Sequence, residues 1–233
     1  SFCQLIPILQ DNYVPILHSP QTGQVAVVDP GTSEEVLAVL KAENWQLTEI
    51  FLTHHHDDHV GGVAALKRQT GAKIYGFTGD AHRLPPLDVA VEEGSRFEWG
   101  WVECEVMHLP GHTLGHIAYH MPQRHWLFSG DVLFGMGCGR LFEGTPQQAY
   151  ASLQRIRALP TQTQIFCAHE YTLKNGEFAL LQEPENQALQ RRMRELSPPT
   201  VPLSLAEELV TNPCLRCESV AEFARLRERR NDF

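Results

Sequence analysis

Thr53-His54-His55-His56-Asp57-Asp58-His59-Val60-Gly61-Gly62 follows directly on the apolar run Ile50-Phe51-Leu52. Within it, His54-x-His56-x-Asp58-His59 puts four potential metal ligands in one tight turn. Two imidazoles stand two residues apart, and an adjacent carboxylate–imidazole pair follows. One ion cannot comfortably take all of them from so short a loop. The spacing points to two ions side by side, and two ions point to hydrolysis. His55 alternates out of the ligand face, and neither it nor Asp57 is counted as a ligand.

The flanking sequence reads as a strand running into this loop and a helix leaving it. Gly61-Gly62 opens a helix over Val63 to Gln69, closed by Gly71. Upstream, Gln24 to Val28 is a strand ending in the turn Asp29-Pro30-Gly31, and Glu34 to Ala42 has helical spacing. Downstream, Lys73 to Phe77 reads as a strand and Phe97 to Met107 as a hairpin. Ile117 to Met121, Trp126 to Phe128 and Gln164 to Ala168 read as further strands. Gln147 to Leu159 is an amphipathic helix with Pro146 in its first turn. From about Tyr171 the pattern is helical and highly charged. The chain is therefore expected to hold a β-rich domain over 1–170 and a small helical domain over 171–233.

The whole chain sets limits on function. Its 233 residues are 42% hydrophobic, enough for a real core. A formal charge of −9 with only short basic segments argues against nucleic acid. The sequence has no run long and apolar enough to span a membrane, so no membrane partner is expected. Ser1-Phe2-Cys3-Gln4 does not read as a secretory signal, and a cytoplasmic monomer is the expectation. The six cysteines are expected as reduced thiols. Cys214-Leu215-Arg216-Cys217 is a lone CxxC without a second pair, and it reads as two semi-buried residues near a helix start.

Three more candidate ligands share one kind of position, at a strand end or loop start. They are His112 in Leu109-Pro110-Gly111-His112-Thr113, Asp131 after Phe128-Ser129-Gly130, and His169 after Ile165-Phe166-Cys167-Ala168. Loops at strand ends are where function usually collects. The sum is five imidazoles and two carboxylates. A binuclear site divides these naturally: three His on one ion, two His and a carboxylate on the other, and the last carboxylate bridging with a hydroxide. Such nitrogen and oxygen ligation suits Zn, Fe or Mn rather than Ca or Mg. Bound metal lowers the pKa of water from about 15.7 to about 7, so hydroxide exists at neutral pH. His116 reads as a strand neighbour supporting the site. Asp29 reads as an acceptor orienting the His loop, the usual partner of a ligating His.

At this point the chain resembles the metallo-β-lactamase superfamily and, over essentially its full length, the glyoxalase II (hydroxyacylglutathione hydrolase) family within it. The resemblance is carried by the His loop, Asp11-Asn12-Tyr13, Pro110-Gly111-His112-Thr113 and Gly130-Asp131-Val132-Leu133-Phe134. Gly137-Cys138-Gly139-Arg140-Leu141-Phe142-Glu143-Gly144-Thr145 and His169-Glu170-Tyr171-Thr172 are more specific. So are Thr200-Val201-Pro202, Leu205-Ala206-Glu207-Glu208 and Asn212-Pro213 in the tail.

The resemblance implies an α+β fold, an αββα metallo-β-lactamase-like sandwich with a small C-terminal helical domain. It implies that His54, His56 and His112 hold one divalent ion and Asp58, His59 and His169 a second, with Asp131 bridging. Zinc comes first, with iron or manganese as alternatives. Asp58 and Asp131 then support a bridging hydroxide that attacks a glutathione thioester. The implied reaction cleaves S-D-lactoylglutathione to glutathione and D-lactate in methylglyoxal detoxification. The implied substrate contacts are Arg140, Phe142, Tyr171, Asn175, Arg227 and Arg230. The family often has Lys at 140 and Tyr at 142, so Phe142 lacks a hydroxyl donor, and Arg230-Asn231 replaces a common Lys-Asp. The competing expectation is a mononuclear-iron glutathione persulfide dioxygenase of the same superfamily, using two His and one Asp.

Overall fold

The computed structural model describes residues 2–233. Contacts divide the chain into two compact units: residues up to His108 together with Ile117–Arg124, and Leu109–His116 together with His125–Phe233.

The first unit opens with a hairpin of β1 (Phe2–Ile8) and β2 (Asn12–His18), in register from Phe2 opposite His18 to Ile8 opposite Asn12. β3 (Val25–Val28) pairs antiparallel with β2. Parallel pairing then runs through β4 (Glu49–Phe51), β5 (Lys73–Phe77) and β6 (Val89–Val91). Parallel strands need crossovers, and α1 (Glu34–Glu43), α2 (Asp57–Val60) and α3 (Val63–Thr70) lie in them. The continuous apolar run Val25–Val28 is what a strand covered on both faces requires, and all four residues are buried. α1 buries Val36 and Leu40 against the core built on Ile16, Val27, Ile50 and Leu52.

A second set, β7 (Arg96–Trp99), β8 (Val102–His108) and β9 (Ile117–Met121), forms an antiparallel meander. It packs on the first sheet through Phe51, Tyr75, Phe97 and Tyr119, with ring centroids 4.8–5.6 Å apart. The buried Tyr119 hydroxyl donates to the Leu52 carbonyl at 2.8 Å, and Ile117 N–H donates to Thr53 O at 2.9 Å. Both bonds hold the point where β4 becomes the His loop.

In the second unit, β10 (Trp126–Gly130) runs parallel to β13 (Gln164–Cys167), and Phe128 stacks on Phe166. Between them come the short hairpin β11 (Leu133–Phe134) and β12 (Gly137–Cys138), then α4 (Pro146–Arg157). A capping box of Thr145 and Gln148 starts α4, with Pro146 inside its first turn. Helices follow as α5 (Thr172–Gln182), α6 (Gln187–Glu195), α7 (Leu205–Thr211), α8 (Pro213–Arg216) and α9 (Val220–Asn231). The tail is not wholly helical, because β14 (Leu203–Ser204) pairs antiparallel with β13.

The tail helices also hold the β11–β12 hairpin from behind. Glu208 of α7 is fully buried and accepts the Met136 N–H at 2.8 Å and Asn212 Nδ2 at 3.0 Å. Its other oxygen is paired with the buried Arg192 of α6. Asn212 donates in turn to Phe134 O and Gly137 O, both at 3.1 Å. Burial pushes the Glu208 carboxyl up, against the charge of Arg192 and these donors. All six cysteines are free thiols, and no described helix is long and apolar enough to cross a membrane.

Candidate metal centre

In the first unit, the loop after β4 carries His54, His56, Asp58 and His59. It can turn so sharply because its backbone meets the Asp29-Pro30-Gly31 turn without side chains between them. A Cβ on Gly31 would lie 2.0 Å from Asp58 O. Asp29 sits at φ 51°, a left-handed conformation that is costly for a residue with a Cβ. The reason is visible in its partners. Its Oδ1 accepts Thr53 N–H at 2.8 Å; its Oδ2 accepts Thr53 Oγ1–H at 2.6 Å and His59 Nδ1–H at 2.9 Å.

These bonds assign the imidazole tautomers. Thr53 spends its only hydroxyl hydrogen on Asp29, so its oxygen accepts from His54 Nδ1 at 2.9 Å. His54 and His59 therefore both carry hydrogen on Nδ1 and turn an Nε2 lone pair the other way. Asp29, His54 and His59 bring ligand-type atoms within 4.8 Å of one another. The three bonds that the Asp29 carboxylate accepts fix Thr53 and the His59 ring, the arrangement usual for a residue that orients a metal-ligating His.

In the second unit, His112 Nδ1–H donates to Arg140 O at 2.7 Å, which again leaves Nε2 as the lone-pair nitrogen. A carbonyl oxygen can only accept, so no other tautomer fits. A bulge at Ser129 in β10 and Gly130 at φ 53° re-aim the chain just before Asp131. Asp131 N–H donates to His116 Nε2 at 3.1 Å, so His116 is spent on the backbone that carries Asp131. The tight approach of Gly139, whose Cβ would lie 1.9 Å from Asp131 O, sets the same segment from its other side. The His169 ring is held by a parallel stack on Tyr171 at 4.8 Å and by the Phe134 edge at 5.7 Å.

The spacing of these atoms fits a metal. Asp131 Oδ2 stands 3.3 Å from His112 Nε2 and 3.4 Å from His169 Nε2; in the other unit Asp58 Oδ2 stands 3.3 Å from His59 Nε2. Charge-assisted hydrogen bonds close to about 2.7–2.9 Å, so these separations are too long for them. A tetrahedral centre with metal–nitrogen bonds of about 2.0–2.1 Å sets its ligand atoms about 3.3 Å apart. The donors, their tautomers and their separations all suit a divalent ion with mixed nitrogen and oxygen ligation.

The sequence pattern gives Asn12 no role beyond its place in Asp11-Asn12-Tyr13. It is buried at the start of β2, and its Nδ2 donates to Asp58 Oδ2 at 3.0 Å and Asp58 O at 3.3 Å. An Asn beginning a strand is ordinarily a turn residue, so only its burial reveals the role. Asn12→Ala is expected to weaken metal binding about 10- to 100-fold, the usual cost of losing such a partner. A competition titration with a chelator reads this directly.

The expected substrate residues all lie in the second unit. Arg140 is exposed, and Phe142 is exposed with its ring 5.3 Å from that of His112. Tyr171 lies on His169. Asn175 is buried, donating to Gly135 O and accepting Arg230 Nε, both at 3.1 Å. Arg230 lies beside the contacting Phe178 and Phe233 rings, 6.0 and 5.6 Å from their centroids. Burial eases its pKa down, and the positive charges of Arg227 and Arg140 add to that. Arg227 itself is buried, donating to Cys138 O at 2.6 Å and Asn231 Oδ1 at 3.1 Å. Three guanidinium groups thus share one region of an acidic protein.

Residues 16–169 match the metallo-β-lactamase superfamily, and residues 170–233 match the hydroxyacylglutathione hydrolase C-terminus. A hydroxyacylglutathione hydrolase of Methylococcus capsulatus is 48% identical over 227 residues, covering 95% of this chain and 89% of its own. Among solved structures, ETHE1 from Myxococcus xanthus is similar with a TM-score of 0.77 and 26% identity, covering 98% of this chain and 90% of that one. TTHA1623, solved in a di-iron-bound form, is 32% identical with a TM-score of 0.61, over 72% of this chain and 92% of its own. The fold expected from the sequence is the fold of these neighbours. The chain belongs to the metallo-β-lactamase superfamily and, within it, to the hydroxyacylglutathione hydrolases.

Proposed function

We propose that this chain hydrolyses S-D-lactoylglutathione, and other 2-hydroxyacylglutathiones, to glutathione and the free hydroxy acid. Kinship at 48% identity with a hydroxyacylglutathione hydrolase supports the reaction. The single observation that carries the site is Asp131, whose Oδ2 stands at ligand spacing from both His112 and His169. In this reading His54, His56 and His112 hold one ion, and Asp58, His59 and His169 hold the second. Asp131 is shared. Zinc suits the donor set first, and iron and manganese also suit it.

Divalent ions held there supply a hydroxide at neutral pH and a Lewis acid for the thioester carbonyl. The chain's own residues do the rest. Asp29, Thr53 and Arg140 O keep three imidazoles in the tautomer that presents Nε2. Asn12 and His116 fix the two carboxylate-bearing residues, Asp58 and Asp131. A thiolate leaves readily, so no strong general acid is needed. Arg140 and Arg230 face the carboxylates of glutathione, while buried Arg227 and Asn175 hold that region and add charge. Tyr171 and Phe142 line the thioester end.

This reading takes residues 1–170 as the catalytic domain and 171–233 as the substrate-binding one. It places the chain as a monomer in the cytoplasm, acting in methylglyoxal detoxification. The test is thiol release from S-D-lactoylglutathione beside other glutathione thioesters. Preference for 2-hydroxyacyl groups supports the assignment, and no turnover of any of them refutes it. Arg230→Ala is expected to raise KM about tenfold, or about 1.4 kcal/mol, with kcat little changed, because the contact is made equally in ground and transition states.

A further inference from the structure

His169-Glu170-Tyr171-Thr172 and Thr200-Val201-Pro202 are distant in sequence, and short hydrogen bonds join them within the second unit. Residues 168–171 connect β13 to α5, and this connection carries both His169 and Tyr171. Glu170, between them, accepts Thr200 N–H on Oε1 at 2.6 Å and Thr200 Oγ1–H on Oε2 at 2.7 Å. Thr200 spends its only hydroxyl hydrogen there, so its Oγ1 accepts from Thr172 Oγ1–H at 2.6 Å. The bonds run one way, from Thr172 through Thr200 to the Glu170 carboxylate. Glu170 and Thr172 flank Tyr171 in the chain, and both end on Thr200.

We propose that Thr200 and Glu170 are positioning residues, whose clamp fixes the stacked His169 and Tyr171 rings and so holds His169 at ligand spacing. This role rests on the reading of His169 as a metal ligand. His169 Nε2 stands 3.4 Å from Asp131 Oδ2. Its ring stacks on Tyr171 at 4.8 Å with 4° between the planes, and the Phe134 edge meets both rings, at 5.7 and 5.0 Å. Aromatic contacts tolerate centroid separations of about 4.5–7 Å, so they set the plane of a ring more closely than its position. A metal site needs its ligand distances right to about 0.2 Å. Hydrogen bonds to a charged group are confined to about 2.5–2.9 Å, which is the tolerance required. The two bonds to Glu170 fall in that range.

The turn is closed from its other side as well. A Cβ on Gly135 would lie 2.1 Å from Thr172 Oγ1, so Thr172 has no room to move from Thr200 toward the turn between β11 and β12. The tail has separate anchors. β14 pairs with β13, and Glu208 and Asn212 tie α7 to the hairpin. What the Thr200 hydroxyl adds is confined to the His169–Thr172 turn.

The test uses the full-length metal-loaded protein and Thr200→Val. Valine keeps the branched shape and the backbone N–H bond, and removes the hydroxyl from Glu170 and Thr172 alike. One ion is expected to bind about tenfold more weakly in a competition titration with a chelator, the low end of the usual cost, because the clamp acts one residue from the ligand. The affinity of the other ion stays as it was. Turnover of S-D-lactoylglutathione shifts to higher free metal by the same factor and recovers when metal is in excess, which a general loss of stability would not produce. Thr200→Ser keeps the hydroxyl and should restore both readouts. Glu170→Gln has the same shape with one acceptor fewer; it should move metal affinity in the same direction, and it serves if the valine protein does not fold. Unchanged affinity for both ions in these variants overturns the proposal, whatever happens to Tm. So does an equal loss in Thr200→Ser. His169→Ala tells the two failures apart. If it keeps both ions, the ligand reading of His169 fails and the positioning role falls with it. If it loses an ion while the Thr200 and Glu170 variants lose no affinity, only the positioning role fails.

Discussion

Asp131→Ala is expected to abolish metal retention and thioester cleavage together, while leaving the chain folded. The carboxylate oxygen stands 3.3 Å from His112 Nε2 and 3.4 Å from His169 Nε2, so in the proposed centre its removal would take the shared ligand from both ions at once. Metal polarisation supplies several kcal/mol of transition-state stabilisation. A loss of about 4 kcal/mol corresponds to roughly a thousandfold in rate. The fold is not at risk in the same way, because the bond from His116 reaches the backbone N–H of residue 131 and survives the substitution. Metal analysis, circular dichroism and turnover on one preparation separate these effects. Asp131→Asn keeps the shape and removes the charge, so it should fall between the two. Full turnover in Asp131→Ala would refute the shared-ligand role.

Glu208→Ala is expected to be the most destabilising single change in the tail. It strips the buried Arg192 of its counter-charge and leaves the Met136 N–H and Asn212 Nδ2 without their acceptor. Breaking a buried ion pair from one side costs about 3–5 kcal/mol. For a chain of this size that is roughly 6–20 °C in Tm. Glu208→Gln keeps an acceptor for the backbone and should cost less. The double variant Arg192→Met with Glu208→Gln should recover much of the loss, because neither charge is then buried alone. If the double variant is as unstable as the sum of the singles, Arg192 and Glu208 are not coupled.

The two kinds of site were unequally legible in the sequence. The His loop announces itself because its candidate ligands are local: His54, His56, Asp58 and His59 crowd one turn, and metal chemistry accounts for the crowding. His112, Asp131 and His169 are legible because each ends or follows an apolar strand. What was hidden depends on distant partners. Asn12 meets Asp58 across 46 residues, and Glu208 meets Met136 across 72. Neither contact leaves a periodic trace. Asp29 reads from the sequence as an acceptor orienting the His loop, but its left-handed backbone and its three accepted bonds depend on the packed loop.

Elements were missed for similar reasons. The β1–β2 hairpin went unread because Pro7 and Pro15 interrupt both strands, and proline argues against a strand interior. β11, β12 and β14 have two residues each, too short for any alternation to register. The helices were read more easily, because α1, α4 and α9 carry amphipathic periods and α3 ends at Gly71 in the left-handed region.

The proposed enzyme is a two-ion thioester hydrolase. Its most direct test is metal content per chain on the same sample that is assayed with S-D-lactoylglutathione, beside oxygen uptake with glutathione persulfide. Two ions per chain, rapid thiol release and no oxygen consumption are the expected result. One iron per chain with oxygen consumed would contradict it.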